Sequence, residues 1–177
     1  MKNCGIFHMA AVRHKGVIDV DKKVVVLKRV SLFAGLDDQT IELLASISEI
    51  RDYKSGEQVY AEGEADAALF VIVDGKIRID KQVDAEQRQT LQQIRDGEIL
   101  GAISFVLGGE HSVSAQAIQD AELLVIRRTE FDKLAARNPA VAYRLMLRLA
   151  GQLAALLREM DERFVEMVGY IYGRSKK

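Results

Sequence analysis

Cysteine is almost missing from this chain of 177 residues: Cys4 stands alone, so no internal disulfide can form. His8 lies four residues away, and two ligands do not make a zinc site. That usage points to a reducing cytoplasm. An excess of charge of either sign is missing too. The net charge is −1 with 29% charged residues, which leaves no global field to gather nucleic acid or acidic substrates. No apolar run approaches the roughly 18 residues of a membrane span, so none is expected, and the N-terminus lacks the compact apolar segment of a secretory signal. No P-loop, HExxH pattern or Ser, His and Asp arrangement occurs, so an enzyme is not expected. The length suits one domain with extensions, large enough to bury a core without disulfides or metal.

What is present falls into three stretches: an arm over 1–24, a domain over 25–168 and a tail over 169–177. The arm carries Lys2, Arg13, His14, Lys15, Lys22 and Lys23 around a broken apolar pattern and reads as a poorly ordered leader. From Val24 to Ile50, Leu27, Leu32 and Phe33 precede Gly35. Asp37 and Asp38 then offer an N-cap before Ile41, Leu43, Leu44, Ile47 and Ile50, a pattern that predicts two short helices with a glycine joint. Turn signals follow at strand intervals: Lys54 to Gly56, Glu62 with Gly63, Asp74 with Gly75, and Asp96 with Gly97. Runs such as Phe70 to Val73 and Lys76 to Ile79, joined by Asp74 and Gly75, read as strands around a hairpin turn. Thr90 to Ile94, Ser112 to Ala117 and Leu123 to Arg127 add further strands. The fold class is therefore α+β, an antiparallel β-roll or jelly roll with N-terminal helices and a long C-terminal helix.

The helical period begins after Arg128. Thr129 is the expected cap of a short helix holding Phe131 and Leu134, and Asn138 with Pro139 ends it and starts another. From Pro139 to about Val168 the helix runs roughly 30 residues, about 45 Å. Leu149, Leu153, Leu156, Met160, Phe164 and Met167 form one apolar stripe along it. A helix that outruns its domain is expected to meet a second copy of itself, so a homodimer is the predicted state.

Gly97 to Ala117 reads GEILGAISFVLGGEHSVSAQA: a glycine turn, a short apolar run, a second glycine pair and an alternating segment. A glycine-bounded turn opening a helix leaves backbone N–H groups free, a cheap way to hold a phosphate. The three carboxylates of Glu62 to Asp66 read as a solvated turn rather than a metal site.

With these pieces in this order, the chain from about Leu27 to Met160 resembles the cyclic nucleotide-binding domain of the Crp/Fnr type. The segments that carry the likeness are LKRVSLFAGLDDQTIELLASI, YKSGEQVYAEGEADAALFVIVDGKIRI, the glycine segment above and AELLVIRRTEFDKLAARNPAVAYRLMLRLAGQLAALL. The resemblance implies a regulatory sensor whose ligand pocket acts on a dimerising last helix. It places the ligand at Gly101, Ala102, Ile103, Ser104, His111, Ser112 and Val113. In nucleotide-binding members a Glu holds the ribose hydroxyl, and an Arg and a Ser hold the cyclic phosphate. Here Ala102 stands at the Glu, His111 at the Arg and Ser112 at the Ser, in a loop one residue shorter than common. A charge-assisted hydrogen bond is worth roughly 1.5 to 3 kcal/mol, so losing two weakens binding by about 10² to 10⁴. An imidazolium at 111 can donate to a phosphate. Leu156 and Leu157 stand where family members place hydroxyl side chains near adenine, with Arg158 one residue beyond.

The expected ligand is thus a cyclic nucleotide, cyclic AMP or cyclic GMP, held weakly or not at all, or another small anion. The alternative is an interaction adaptor that binds no ligand and recruits a protein partner of unspecified kind through its helix. The nine residues from Gly169 to Lys177 are too few for a helix-turn-helix, so sequence-specific DNA binding is not expected of this chain.

Overall fold

The computed structural model describes residues 20–84 and 87–171. Most of the arm and the basic tail residues Arg174, Lys176 and Lys177 lie outside them. The described chain opens with helix α1 (Val20–Arg29), a 3-10 turn (Ser31–Phe33) and α2 (Asp38–Ser46). Asp37 caps α2, its carboxylate accepting from the Thr40 backbone N–H at 2.8 Å. The helix is shorter than the sequence suggested, because Ser48–Tyr53 leaves it to form β1 and pairs antiparallel with β8 (Ala121–Arg127). Helix α1 begins at Val20, inside the stretch read as an arm.

The strands between are β2 (Gln58–Tyr60), β3 (Ala68–Asp74), β4 (Lys76–Gln82), β5 (Arg88–Arg95), β6 (Ile99–Leu100) and β7 (Ser114–Ala117), with α3 (Ala102–Leu107) between the last two. They form two antiparallel sheets, in orders β1-β8-β3-β6 and β2-β7-β4-β5, which is the expected roll. One local expectation is corrected. Asp74 and Gly75 do not close a hairpin, since β3 pairs with β8 and β6 while β4 pairs with β5 and β7. The turn is a corner at which the chain changes sheets. Gly75 (φ +110) is required there because a Cβ would lie 2.6 Å from that of Ala121.

Strands β3 and β8 are buried on both faces, which is why they read as unbroken apolar runs. Leu69, Val71, Leu124 and Ile126 point toward the helices and pack with Phe33, Leu44, Phe105 and Phe131. Phe70, Ile72, Leu123 and Val125 point into the roll with Tyr60, Ile77 and Ile79. The residue alternation of a strand thus builds two cores from the same backbone.

Helix α4 (Arg128–Arg137) follows β8 directly. Its N-cap is Arg127, with no side-chain cap, so Thr129 lies inside the helix rather than capping it. Asn138 closes α4, and α5 (Pro139–Ile171) runs 33 residues. Against the expectation from the sequence, α5 is by length and composition apolar enough to cross a membrane, with an 18-residue stretch of mean hydropathy 1.3. Its first half is committed to the core, however: Val141, Leu145 and Leu149 are buried, and Arg144 pairs with Asp37.

Several carboxylates are held below their ordinary range. Asp37 is lowered by its hydrogen bonds with Thr40, Asp120 by Lys54 and the Ser55 N–H, and Glu62 by Lys81 and the Gln82 N–H. Burial pushes Asp80 up, but hydrogen bonds from Thr90 and Arg78 outweigh it and leave the carboxyl low. A depressed folded-state pKa stabilises above the unfolded value, about 4, and that contribution is lost as pH falls through the folded values. The urea midpoint is therefore expected to hold from pH 7 to about 5 and to fall below about pH 4. Asp80→Asn should flatten part of that decline.

Candidate functional site

The site is built around Gly101. Strand β6 pairs with β3 through Leu100 and Phe70, and the chain then turns at Gly101 (φ +77) to open α3. A Cβ at 101 would lie 2.3 Å from the Ala68 carbonyl oxygen, so only glycine lets the turn sit this close to β3. Gly108 (φ +72) ends the helix. Arg128 donates to the Phe105 and Val106 carbonyls at 2.5 and 2.9 Å and holds its C-terminal end.

Beneath the turn lies a pocket of about 140 Å³. Gly101, Ala102, Ile103 and Ser104 form one side, and His111, Ser112 and Val113 another, so all seven residues singled out from the sequence line it. The strands add Tyr60, Ile79, Gln92, Ile94, Ile99 and Leu100, and α5 adds Leu153 and Leu156. Tyr60, Ile79, Gln92 and Ile94 were not anticipated. Their signal was strand alternation, since Gln92 and Ile94 share a face of β5 and Ile79 is the register partner of Gln92.

His111 is buried, with 3% of its surface exposed. Its Nε2 lies 3.0 Å from the Asp66 carbonyl oxygen, and its Nδ1 lies 3.0 Å from the Ser104 hydroxyl. The ring stacks on Tyr60, with centroids 3.7 Å apart and planes within 11°. A carbonyl only accepts, so Nε2 carries a hydrogen. The Ser104 hydroxyl also lies 3.0 Å from the Gly101 carbonyl oxygen. The Gly101 carbonyl already accepts from the Phe105 N–H at 2.9 Å, so the Ser104 hydroxyl can donate to Nδ1 while Nε2–H donates to Asp66. Both ring nitrogens are turned to protein oxygen, so donation to a phosphate requires breaking one of these bonds.

Burial pushes the Tyr60 phenol above its ordinary range, opposed by a weaker hydrogen bond with the Gly101 backbone. It stays neutral at any physiological pH. No lysine, arginine, aspartate or glutamate lines the pocket. Nearby cations are engaged elsewhere. Lys81 donates to Glu62 at 2.5 Å and to the Ser112 carbonyl at 2.8 Å, and Arg127 pairs with Asp66 at 2.8 Å. Arg158 falls about 160° around α5 from Leu156, on the far side from the pocket. The loop carboxylates are likewise occupied: Glu62 by Lys81, Glu64 by the Ala61 N–H at 2.8 Å and Asp66 by Arg127. Among the described residues no group of metal-ligating side chains is assembled.

Residues 50–138 match the cyclic nucleotide-binding domain. The chain is 35% identical over 135 residues to the cyclic AMP receptor protein of Thermus thermophilus, a match covering 76% of this chain and 61% of that protein. The crystal structure of the Thermus thermophilus catabolite activator protein superposes with a TM-score of 0.66 at 34% identity, over 77% of this chain and 62% of that one. A cyclic nucleotide-binding domain from Methylobacillus flagellatus superposes with a TM-score of 0.72 over 84% of this chain and 83% of that one. At 22% identity this is a likeness of fold alone. The match thus spans about three fifths of the receptor protein and of the activator.

Proposed function

The chain belongs to the cyclic nucleotide-binding domain family, and we propose that it is a regulatory sensor, not an enzyme, in which a small ligand beneath the Gly101 turn acts on helix α5. The observation that carries this reading is the shared wall: Leu153 and Leu156 of α5 line the same pocket as the Gly101 to Ser104 turn. A ligand there contacts both elements and can shift the helix in proportion to its differential affinity for two arrangements. The output is a homodimer formed through the distal half of α5, in the cytoplasm. The phosphate segment is degenerate in this reading, with Ala102 in place of a ribose-holding carboxylate and His111 bound to protein on both nitrogens. Cyclic AMP and cyclic GMP accordingly bind in the millimolar range or not at all.

The test is Ala102→Glu. Residue 102 is half-buried at the pocket edge and also packs against the core, so the variant's urea midpoint is measured beside its affinity. One restored charge-assisted hydrogen bond is worth roughly 1.5 to 3 kcal/mol, so cyclic AMP should bind about 10- to 100-fold more tightly in a calorimetric titration. Its addition should also shift the sedimentation of the variant. A folded Ala102→Glu protein that gains no affinity would count against a nucleotide-type site beneath the turn. His111→Arg is the poorer test, because it strips partners from Ser104 and Asp66.

The absence of any lysine or arginine from the pocket lining favours a second reading, an adaptor without a ligand. In that case α5 substitutions abolish partner association while pocket substitutions leave it unchanged.

A further inference from the structure

Taking the pocket as a regulatory ligand site, we propose that it selects an uncharged, predominantly apolar small molecule about the size of one aromatic ring, in preference to a nucleotide. Most of the wall is apolar: Ile79 and Ile94 from the sheet, Ile99 and Leu100 before the turn, and Leu153 and Leu156 from α5. The two titratable side chains in the lining are both committed. His111 is held by Ser104 and Asp66 and stacked on Tyr60, and Tyr60 is buried as a neutral phenol. An anion placed here meets no lysine or arginine side chain and only the backbone N–H groups of the turn, and burying a charge without a paired side chain is unfavourable.

Size leads to the same class. A cavity near 150 Å³ lined by aliphatic and aromatic side chains accepts benzene, whereas pockets for larger organic ligands occupy about 300 to 1,000 Å³. At about 140 Å³ this pocket matches the first. A base, sugar and phosphate together exceed that volume, so part of a nucleotide would stand outside the pocket in solvent, whereas a single ring is held within it. Two polar side chains at the rim, the Ser112 hydroxyl and the Gln92 carboxamide, are exposed and make no side-chain hydrogen bond among the described residues. They can serve one or two hydroxyl or amide groups on the ligand. The ligand class is therefore a small aromatic or branched aliphatic alcohol or amide.

The experiment titrates the full chain, carrying labelled isoleucine and leucine methyls, with benzyl alcohol, benzoate and cyclic AMP, followed by methyl resonances. Benzyl alcohol and benzoate share a ring and differ in charge. The expected result is saturable, concerted shifts of Ile79, Ile94, Ile103, Leu153 and Leu156 with benzyl alcohol, at least tenfold weaker binding of benzoate, and still weaker binding of cyclic AMP. Ser112→Ala should weaken benzyl alcohol about two- to tenfold without changing the spectrum of the free protein elsewhere. Benzoate binding as tightly as the alcohol overturns the proposal. Cyclic AMP saturating first overturns it too, yet leaves the regulatory pocket standing. Silence from all three probes overturns it as well, and the sensor reading falls with it if the Ala102→Glu variant is also silent.

Discussion

Phe164→Glu is expected to turn the proposed α5 dimer into a monomer, with sedimentation equilibrium moving from twice the 19.7 kDa chain mass to that mass. The physical ground is the unpartnered half of α5. Leu156, Met160, Phe164, Met167 and Ile171 are all exposed, Phe164 at 61%, although they continue the face that Leu145 and Leu149 bury against the core. From Leu149 through Met160 to Ile171 the stripe repeats every eleven residues, a spacing that keeps paired helices nearly straight or slightly right-handed. Asp161, Glu162 and Glu166 occupy the flanks and outer face, which leaves the apolar seam as the longest continuous exposed stripe, beside the exposed Leu157, Val165 and Tyr170. Fully burying a Phe or Met side chain is worth roughly 1.5 to 3 kcal/mol. Because a symmetric dimer loses two of them, association should weaken by about 10² to 10⁴. The substituted residue touches no core in the monomer, so urea stability at low protein concentration should not change. Glu162→Ala, on the opposite face, should sediment as the parent does. Retention of the doubled mass by Phe164→Glu would remove α5 from the interface.

The largest effect on stability is expected at the turn itself. Gly101→Ala combines two costs: a left-handed conformation at φ +77 and a Cβ 2.3 Å from the Ala68 carbonyl oxygen. The first costs roughly 1 to 2 kcal/mol. The second forces β3 and the turn apart and brings the total to about 3 kcal/mol or more. Gly97→Ala separates the two, because Gly97 has φ +79 and nothing within 4 Å of its added Cβ. It should lose about 1 kcal/mol. Urea unfolding of the pair measures the difference. Equal losses would mean that the close approach to Ala68 does not constrain the turn.

Much of this architecture is legible in the residues. Strands β3 and β8 announce themselves as unbroken apolar runs because both faces are buried. The glycines at 56, 63, 75, 97, 101 and 108 mark the corners, each with positive φ. What was not legible depends on partners distant in sequence. A corner between two sheets and a hairpin use the same turn chemistry, so Asp74 and Gly75 could not reveal that β3 and β4 never pair. Strand β1 reads SEIRDY, polar at four of its six positions, and owes its conformation to β8 about seventy residues on.

The site follows the same division. Motif spacing placed the Gly101 turn and the His111 to Val113 segment, which do share a pocket. It could not show that His111 faces the Asp66 carbonyl, 45 residues earlier, rather than the open pocket. Nor could it bring Ile79, Gln92 and Ile94 to the lining, since nothing but alternation distinguishes the two faces of those strands.

The central claim is that this pocket keeps the family's backbone turn without its charged grip on a cyclic phosphate. Calorimetric titration of the unaltered full chain with cyclic AMP at neutral pH tests it most directly. A dissociation constant in the millimolar range or no measurable heat is expected. A micromolar constant would contradict it, and would mean that groups other than Ala102 and His111 supply the missing contacts.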